Sequence, residues 1–454
     1  MYRFNFIAVT NLPRAFDRFK RFLKINHLTK ISLQWIKYGN RRAVFVNGAM
    51  FSIIMIVLLE PFPSATIHVE AQNIVANEDR SPNLMGVNVR GQYTSLQYER
   101  YPDFVLPRNY YEETFSLIHD AGLSLVRYLF YWEAYEKNPE LFMKELQTVA
   151  IAADKYGIKV IYDNHQYQTS SWLDPKNGTG FPPSLFQNDD DRLYERGSGG
   201  KTHHESSKIW WTKWWDRELK DADGTDGWIR IADFLTEIVK TLDNHSSTLG
   251  YEMLNEPQIH GDEQWEKAGE FNTYLVKELR KVTQKILVFS QQIPGSKSSE
   301  VIEVTPENIA KMAPDDKNNI VFKFTLYRLP EPGGYHEDRF NTYLDASEIS
   351  GIPVMIGEWN NVERVKVEET DEDGDKTELY KVDAEASDID QRRASFFVEM
   401  FEESPIWGWA YWNWNYIPSP VPPVNLLTVT QDGDMHPTKY FGILKNAVSE
   451  VYGK

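Results

Sequence analysis

Two short stretches place a glutamate at the end of an apolar run. In "GYEMLNEP" (250–257) a hydrophobic segment leads into Asn255, Glu256 and Pro257, and in "IPVMIGEWN" (352–360) another leads into Glu358. Two carboxylates flanking one bond can divide acid and base work, provided that neighbouring groups keep one protonated and the other ionised. Cleavage of a glycosidic bond needs that pair. Other polar residues close or interrupt similar runs: Arg127 in "LSLVRYLF", His165 after "IKVIYDN", Tyr327 ending "NIVFKFTLY" and Trp412 ending "IWGWAYW". A lone glutamate at a strand end is ordinarily a solvated rim residue or half of a structural ion pair. Together with Asn255 and Glu256, these positions argue for a shared site.

The elements that must position them are legible as alternation. Eight apolar runs begin near residues 84, 123, 158, 249, 285, 319, 352 and 406. Between them lie stretches such as "YYEETFSLIHDAG", "ELQTVAIAADKYG" and "IRIADFLTEIVKTL", with apolar residues at three- and four-residue spacing. Strands alternating with helices imply parallel pairing, and eight units imply an α/β fold, a (β/α)8 TIM barrel with insertions. A doubly wound open sheet is the alternative, but no glycine-rich phosphate fingerprint follows any strand. In a barrel the strand ends converge on one face, where chemistry sits.

Composition narrows the partner. A net charge of −17 disfavours a nucleic-acid partner, and an uncharged substrate fits better. The 14 Trp and 24 Tyr suit both a dense core and the flat faces of sugars. With no Cys, thiol catalysis and disulfides are excluded. Residues 1–42 carry ten Lys and Arg against Asp17 alone, a leader of net +9 that leaves −26 for the remainder. Directly after Arg42, an apolar stretch runs from Ala43 to Leu59. A basic flank, an apolar run and small residues near Ala65 describe a signal peptide or a signal anchor. Residues 1–65 are thus read as a targeting segment, 66–454 as one catalytic domain, and the protein as extracytoplasmic, secreted or membrane-anchored.

"YEMLNEP", "VMIGEWN", "LVRYLFYWE", "VIYDNH" and "WAYW" together resemble glycoside hydrolase family 5, the cellulase-type (β/α)8 hydrolases, from about Met85 to Val451. The resemblance implies Glu256 as general acid/base and Glu358 as nucleophile, with retention through a covalent glycosyl-enzyme and without cofactor or metal. It further implies that Asn255 bonds the sugar 2-hydroxyl, Arg127 holds Glu358 ionised, His165 lines the subsite, Tyr327 positions Glu358 and Trp412 forms a sugar platform. One position departs. Where the family's strand-six motif has His two residues before Tyr327, this chain has Thr325, which carries no charge and bears on substrate subset and pH profile.

Two insertions are expected to set specificity, at about 166–227 and 361–386. The first holds Trp172, Trp210, Trp211, Trp214 and Trp215, read as loop packing with sugar platforms as the alternative. The second, "VERVKVEETDEDGDKTELYKVD", alternates like a hairpin around Asp373 and Gly374, with a calcium loop as the weaker reading. The expected activity is hydrolysis within β-linked polysaccharide or oligosaccharide chains. The alternatives are a mannan- or glycolipid-directed member, a transglycosylase, or an idle barrel that only binds carbohydrate.

All eight runs lie beyond the leader, so residues 83–454 are expected to fold and act without it. Loss of folding on deleting residues 1–65 would make the leader part of the core.

Overall fold

The protein is described here from a computed structural model. It covers residues 84–453 except 97–98, 100–104, 176–177, 187–190, 198–200, 292–301, 328–334, 363, 371–375, 383–387, 416–424 and 431, and before residue 84 only 32–38, 41–48 and 51–55. The chain divides into two units, Met1–Ala71 and Gln72–Lys454. In the first, Ser32–Tyr38, Arg41–Gly48 and Phe51–Met55 pair as an antiparallel three-stranded sheet, which takes in part of the apolar stretch 43–59. Among the described residues no helix is long and apolar enough to cross a membrane.

The second unit is a closed barrel of eight parallel strands: β1 (Leu84–Arg90), β2 (Leu125–Phe130), β3 (Lys159–Asn164), β4 (Thr248–Glu252), β5 (Ile286–Ser290), β6 (Ile320–Leu326), β7 (Val354–Trp359) and β8 (Gly408–Tyr411). β8 closes against β1 in parallel register. The three amphipathic stretches singled out above are helices, Tyr110–Asp120, Pro139–Tyr156 and Gly227–Leu242. Local chemistry sets their ends. The Asn138 side chain accepts from the Leu141 amide, Asp226 accepts from Trp228, and Gly157 takes a left-handed φ of 67° that stops the second helix.

Alternation along the strands sorts the barrel interior into layers. Leu125, Ile161, Ile286, Val288, Val321 and Met355 form a buried apolar cluster separate from the main core. Two residues further along, on the same face of their strands, come Arg127, Asp163 and Lys323. Gly250 precedes Glu252 in the same way, and a Cβ at 250 would lie 2.3 Å from the Ile286 carbonyl oxygen, so only glycine fits. An apolar plug therefore supports a charged layer.

The first insertion carries a helix, Lys201–Trp215, whose four tryptophans 210, 211, 214 and 215 are all buried. Trp210 and Trp214 stack with centroids 5.4 Å apart, and Phe181 packs against both. Packing, not sugar platforms, is their use. The second insertion is a hairpin, Arg364–Thr370 against Lys376–Val382, and its acidic turn lies outside the described residues. Trp210→Ala is expected to cost about 3–5 kcal/mol, read from the urea midpoint, because the stack cannot collapse onto the space left. A change under about 1 kcal/mol would show that the helix is not held by this stack.

Candidate active site

The charged layer is organised by Arg127, which is fully buried. Its Nε donates to Glu252 Oε2 at 2.7 Å, Nη1 to Asn88 Oδ1 at 2.8 Å and to Glu358 Oε1 at 3.1 Å, and Nη2 to Glu252 Oε1 at 3.0 Å and Asn255 Oδ1 at 2.8 Å. Asp163 Oδ2 lies 2.8 Å from Nη2. Asn88 in turn donates to the carbonyls of Gly357 and Tyr411, joining β1 to β7 and β8.

Glu358, in β7, is the carboxylate held ionised. Burial works against its charge, but Lys323 and Arg127 outweigh it and hold the group well below the usual carboxylate range. Lys323 Nζ lies 3.1 Å from Glu358 Oε1 and 2.6 Å from Asn255 Oδ1. The Tyr327 hydroxyl donates to Glu358 Oε2, the other oxygen.

Glu256 is the opposite case. It sits in the turn beyond β4 with a left-handed φ of 45°. Two side chains hold that backbone: Ser290 Oγ accepts the Glu256 amide at 2.7 Å, and Gln166 Nε2 donates to the carbonyls of Asn255 and Glu256. Burial, reinforced by the negative charge of Glu358, pushes the Glu256 carboxyl up to about 7. The Thr325 hydroxyl bonds it and pulls the other way.

His165 is buried, and loss of solvation takes it well below its usual value, so the ring is neutral. Its Nδ1 lies 2.7 Å from Asp163 Oδ2 and its Nε2 3.5 Å from Asn255 Nδ2. Asp163 is itself pushed up to about 7 by burial, against the pull of Arg127. Trp412, half-buried just past β8, stacks near His165 with centroids 5.6 Å apart, and the Arg90 guanidinium lies 5.2 Å from its ring centre.

The structure thus links Arg127, Asn255, Glu358 and Tyr327 through direct bonds, with His165 and Trp412 beside them, and sets the Glu256 carboxyl within the field of Glu358. Lys323, Glu252, Asp163, Asn88, Ser290 and Gln166 were not singled out from the sequence. The first three carried a signal: a charge within a run apolar enough to be a barrel strand has to be buried and paired. The others are ordinary polar residues whose role appears only in their partners. Among the described residues no cluster of His, Asp and Glu is arranged to hold a metal.

A pH test follows from Glu256. Its folded value of about 7 exceeds the ordinary 4.5, so between these limits the folded state keeps a proton that the unfolded state has released. Stability from this group is therefore present below about pH 4.5 and is lost as pH rises through about 7. Glu256→Gln is expected to remove that loss, up to about 3 kcal/mol of difference in unfolding free energy between the two ends of the window. Parallel pH curves for wild type and variant would contradict the burial of this carboxyl.

Comparison with known proteins matches this arrangement to a family. The family described as "Cellulase (glycosyl hydrolase family 5)" matches residues 83–417. Among solved structures, the chain is similar to one described as an endogalactoceramidase, at 16% identity and a TM-score of 0.59, covering 81% of this chain and 80% of that one. It is also similar to endo-glycoceramidase II from Rhodococcus sp., at 16% identity and a TM-score of 0.53, covering 80% of this chain and 78% of that one. No match is found among curated protein sequences. With the family match spanning most of the chain and the barrel placing both glutamates at one mouth, the chain belongs to the cellulase family, glycosyl hydrolase family 5, and is a glycoside hydrolase.

Proposed function

We propose that this protein is a retaining, endo-acting β-glycosidase that hydrolyses β-linked polysaccharide or oligosaccharide by double displacement. The observation that carries this reading is the opposed polarisation of Glu256 and Glu358. In the first step Glu358 attacks the anomeric carbon while Glu256 gives its proton to the departing glycosidic oxygen, leaving a glycosyl ester on Glu358. In the second step Glu256, now a carboxylate, takes a proton from water, which attacks the same carbon and releases the sugar with Glu358 restored. Asn255 has Oδ1 occupied by Arg127 and Lys323, while its Nδ2 donates one N–H to the Gln166 carbonyl at 3.0 Å; the other, 3.5 Å from His165 Nε2, is the one assigned to the 2-hydroxyl. The basic leader and apolar run support a site of action outside the cytoplasm, either secreted or anchored.

A second reading places the glycan on a lipid. The two similar structures named above are described as an endogalactoceramidase and an endo-glycoceramidase, and Tyr167, two residues beyond His165, is 44% exposed, an aromatic side chain suited to an apolar aglycone. A screen on β-glucan, mannan, xylan and glucosylceramide separates the two.

The chemistry is tested by azide. Glu358→Ala, given azide and an activated β-glycoside, is expected to yield the α-glycosyl azide by single displacement. In Glu256→Ala the glycosyl-enzyme still forms, and azide, which needs no base, is expected to yield the β-glycosyl azide. The same anomer from both variants, or full activity in either, would refute the assignment.

A further inference from the structure

Strand β6 reads "IVFKFTL", and its single charge is Lys323, not the uncharged Thr325. Lys323 is fully buried, with Nζ 2.6 Å from Asn255 Oδ1, 3.1 Å from Glu358 Oε1 and 3.9 Å from Glu252 Oε1. Its stem lies against Gly357, the residue before the nucleophile: a Cβ at 357 would fall 2.4 Å from Lys323 Cε and 2.5 Å from Cγ. The glycine of "IGEW" therefore makes room for this side chain.

Resting on the reading of Glu358 as nucleophile, we propose that Lys323 is a positioning residue, whose ammonium keeps Glu358 ionised and, with Arg127, fixes the Asn255 side chain by its Oδ1, with Nδ2 turned to the Gln166 carbonyl and His165. Burying an ammonium costs several kcal/mol, and an apolar side chain of the same length would fill the space without that cost. The charge balance gives the reason to keep it. Glu252 from β4 and Glu358 from β7 both bond Arg127 from β2, and Asp163 from β3 lies 2.8 Å from the same guanidinium, so its single charge is shared among several carboxyl groups. Among the described residues, the other titratable groups acting on Glu358 include His165, which is neutral, Glu256, whose carboxyl burial pushes up to about 7, and Tyr327, whose hydroxyl burial keeps protonated. Lys323 is then the one further cation bonded to the nucleophile among the described residues, and it leads Arg127 among the groups that favour its charged form. The same ammonium also lowers Glu256. Once Glu358 has become a neutral ester, that pull is no longer offset by the nucleophile's charge, and Glu256 is driven towards the base it must become.

The test uses the full chain with Lys323→Met, which keeps length without charge, and Lys323→Gln, which keeps a hydrogen-bond donor without charge. The Glu358 carboxyl is followed by NMR with carboxyl-labelled glutamate, assigned by its loss in Glu358→Gln and titrated without substrate. Its midpoint is expected to rise by at least about one pH unit in both variants. The acidic limb of kcat/KM on an aryl β-glycoside is expected to rise with it, while the value at the optimum falls about 10- to 100-fold. If the Met variant does not fold, the Gln variant decides. A Glu358 midpoint left where the wild type has it, or failure of both variants to fold, overturns the proposal and makes the ammonium a structural element of the core. Because the titration needs no substrate, a wild type that turns over no glycoside rejects the hydrolase reading separately from the hold of Lys323 on Glu358.

Discussion

Everything at the barrel mouth depends on one constraint, the burial of the Arg127 guanidinium. A fully buried guanidinium has to spend its donors on partners, and here Nε, Nη1 and Nη2 all do so, reaching side chains of β1, β3, β4 and β7 and the turn beyond β4. Those partners cannot move independently. A carboxylate taken out of water needs the cation, the cation needs the carboxylates, and the distances among them are fixed by strands that hydrogen-bond in a closed ring.

The asymmetry between the two glutamates follows from where each stands relative to that cation. Glu358 projects from a strand into the charged layer, within bonding distance of Arg127 and Lys323. Glu256 stands four residues beyond the end of β4, on backbone that Ser290 and Gln166 hold in a left-handed turn, and it bonds neither cation. The two carboxyls have the same intrinsic chemistry and share a buried setting, so proximity to fixed positive charge decides which one keeps its proton.

The outer shell serves that geometry as well. The insertion helix 201–215 reaches the loop carrying Glu256 through Ser207 Oγ to Gln258 Oε1 at 3.0 Å and Trp215 Nε1 to the Gln258 carbonyl at 2.9 Å. Thr169 Oγ1, bonded to Ser207 and Trp211, ties the same helix to the loop after β3, where Gln166 sits. The buried tryptophans thus brace the loop that carries the acid.

The sequence alone determined the eight strand and helix units, their order, and the positions where polar residues end apolar runs. Periods of two and 3.6 residues are local properties, and short motifs such as "NEP" and "GEW" are contiguous. The second insertion was legible as a hairpin for the same reason. Tertiary structure alone decided which charges meet. Arg127 and Glu358 are 231 residues apart in sequence, and Lys323 and Asn255 are 68 apart. No local pattern says that a lysine in the middle of an apolar strand will lie beside a nucleophile, or that Thr325 will face Glu256. Protonation follows distance and burial, and only the closed barrel sets both.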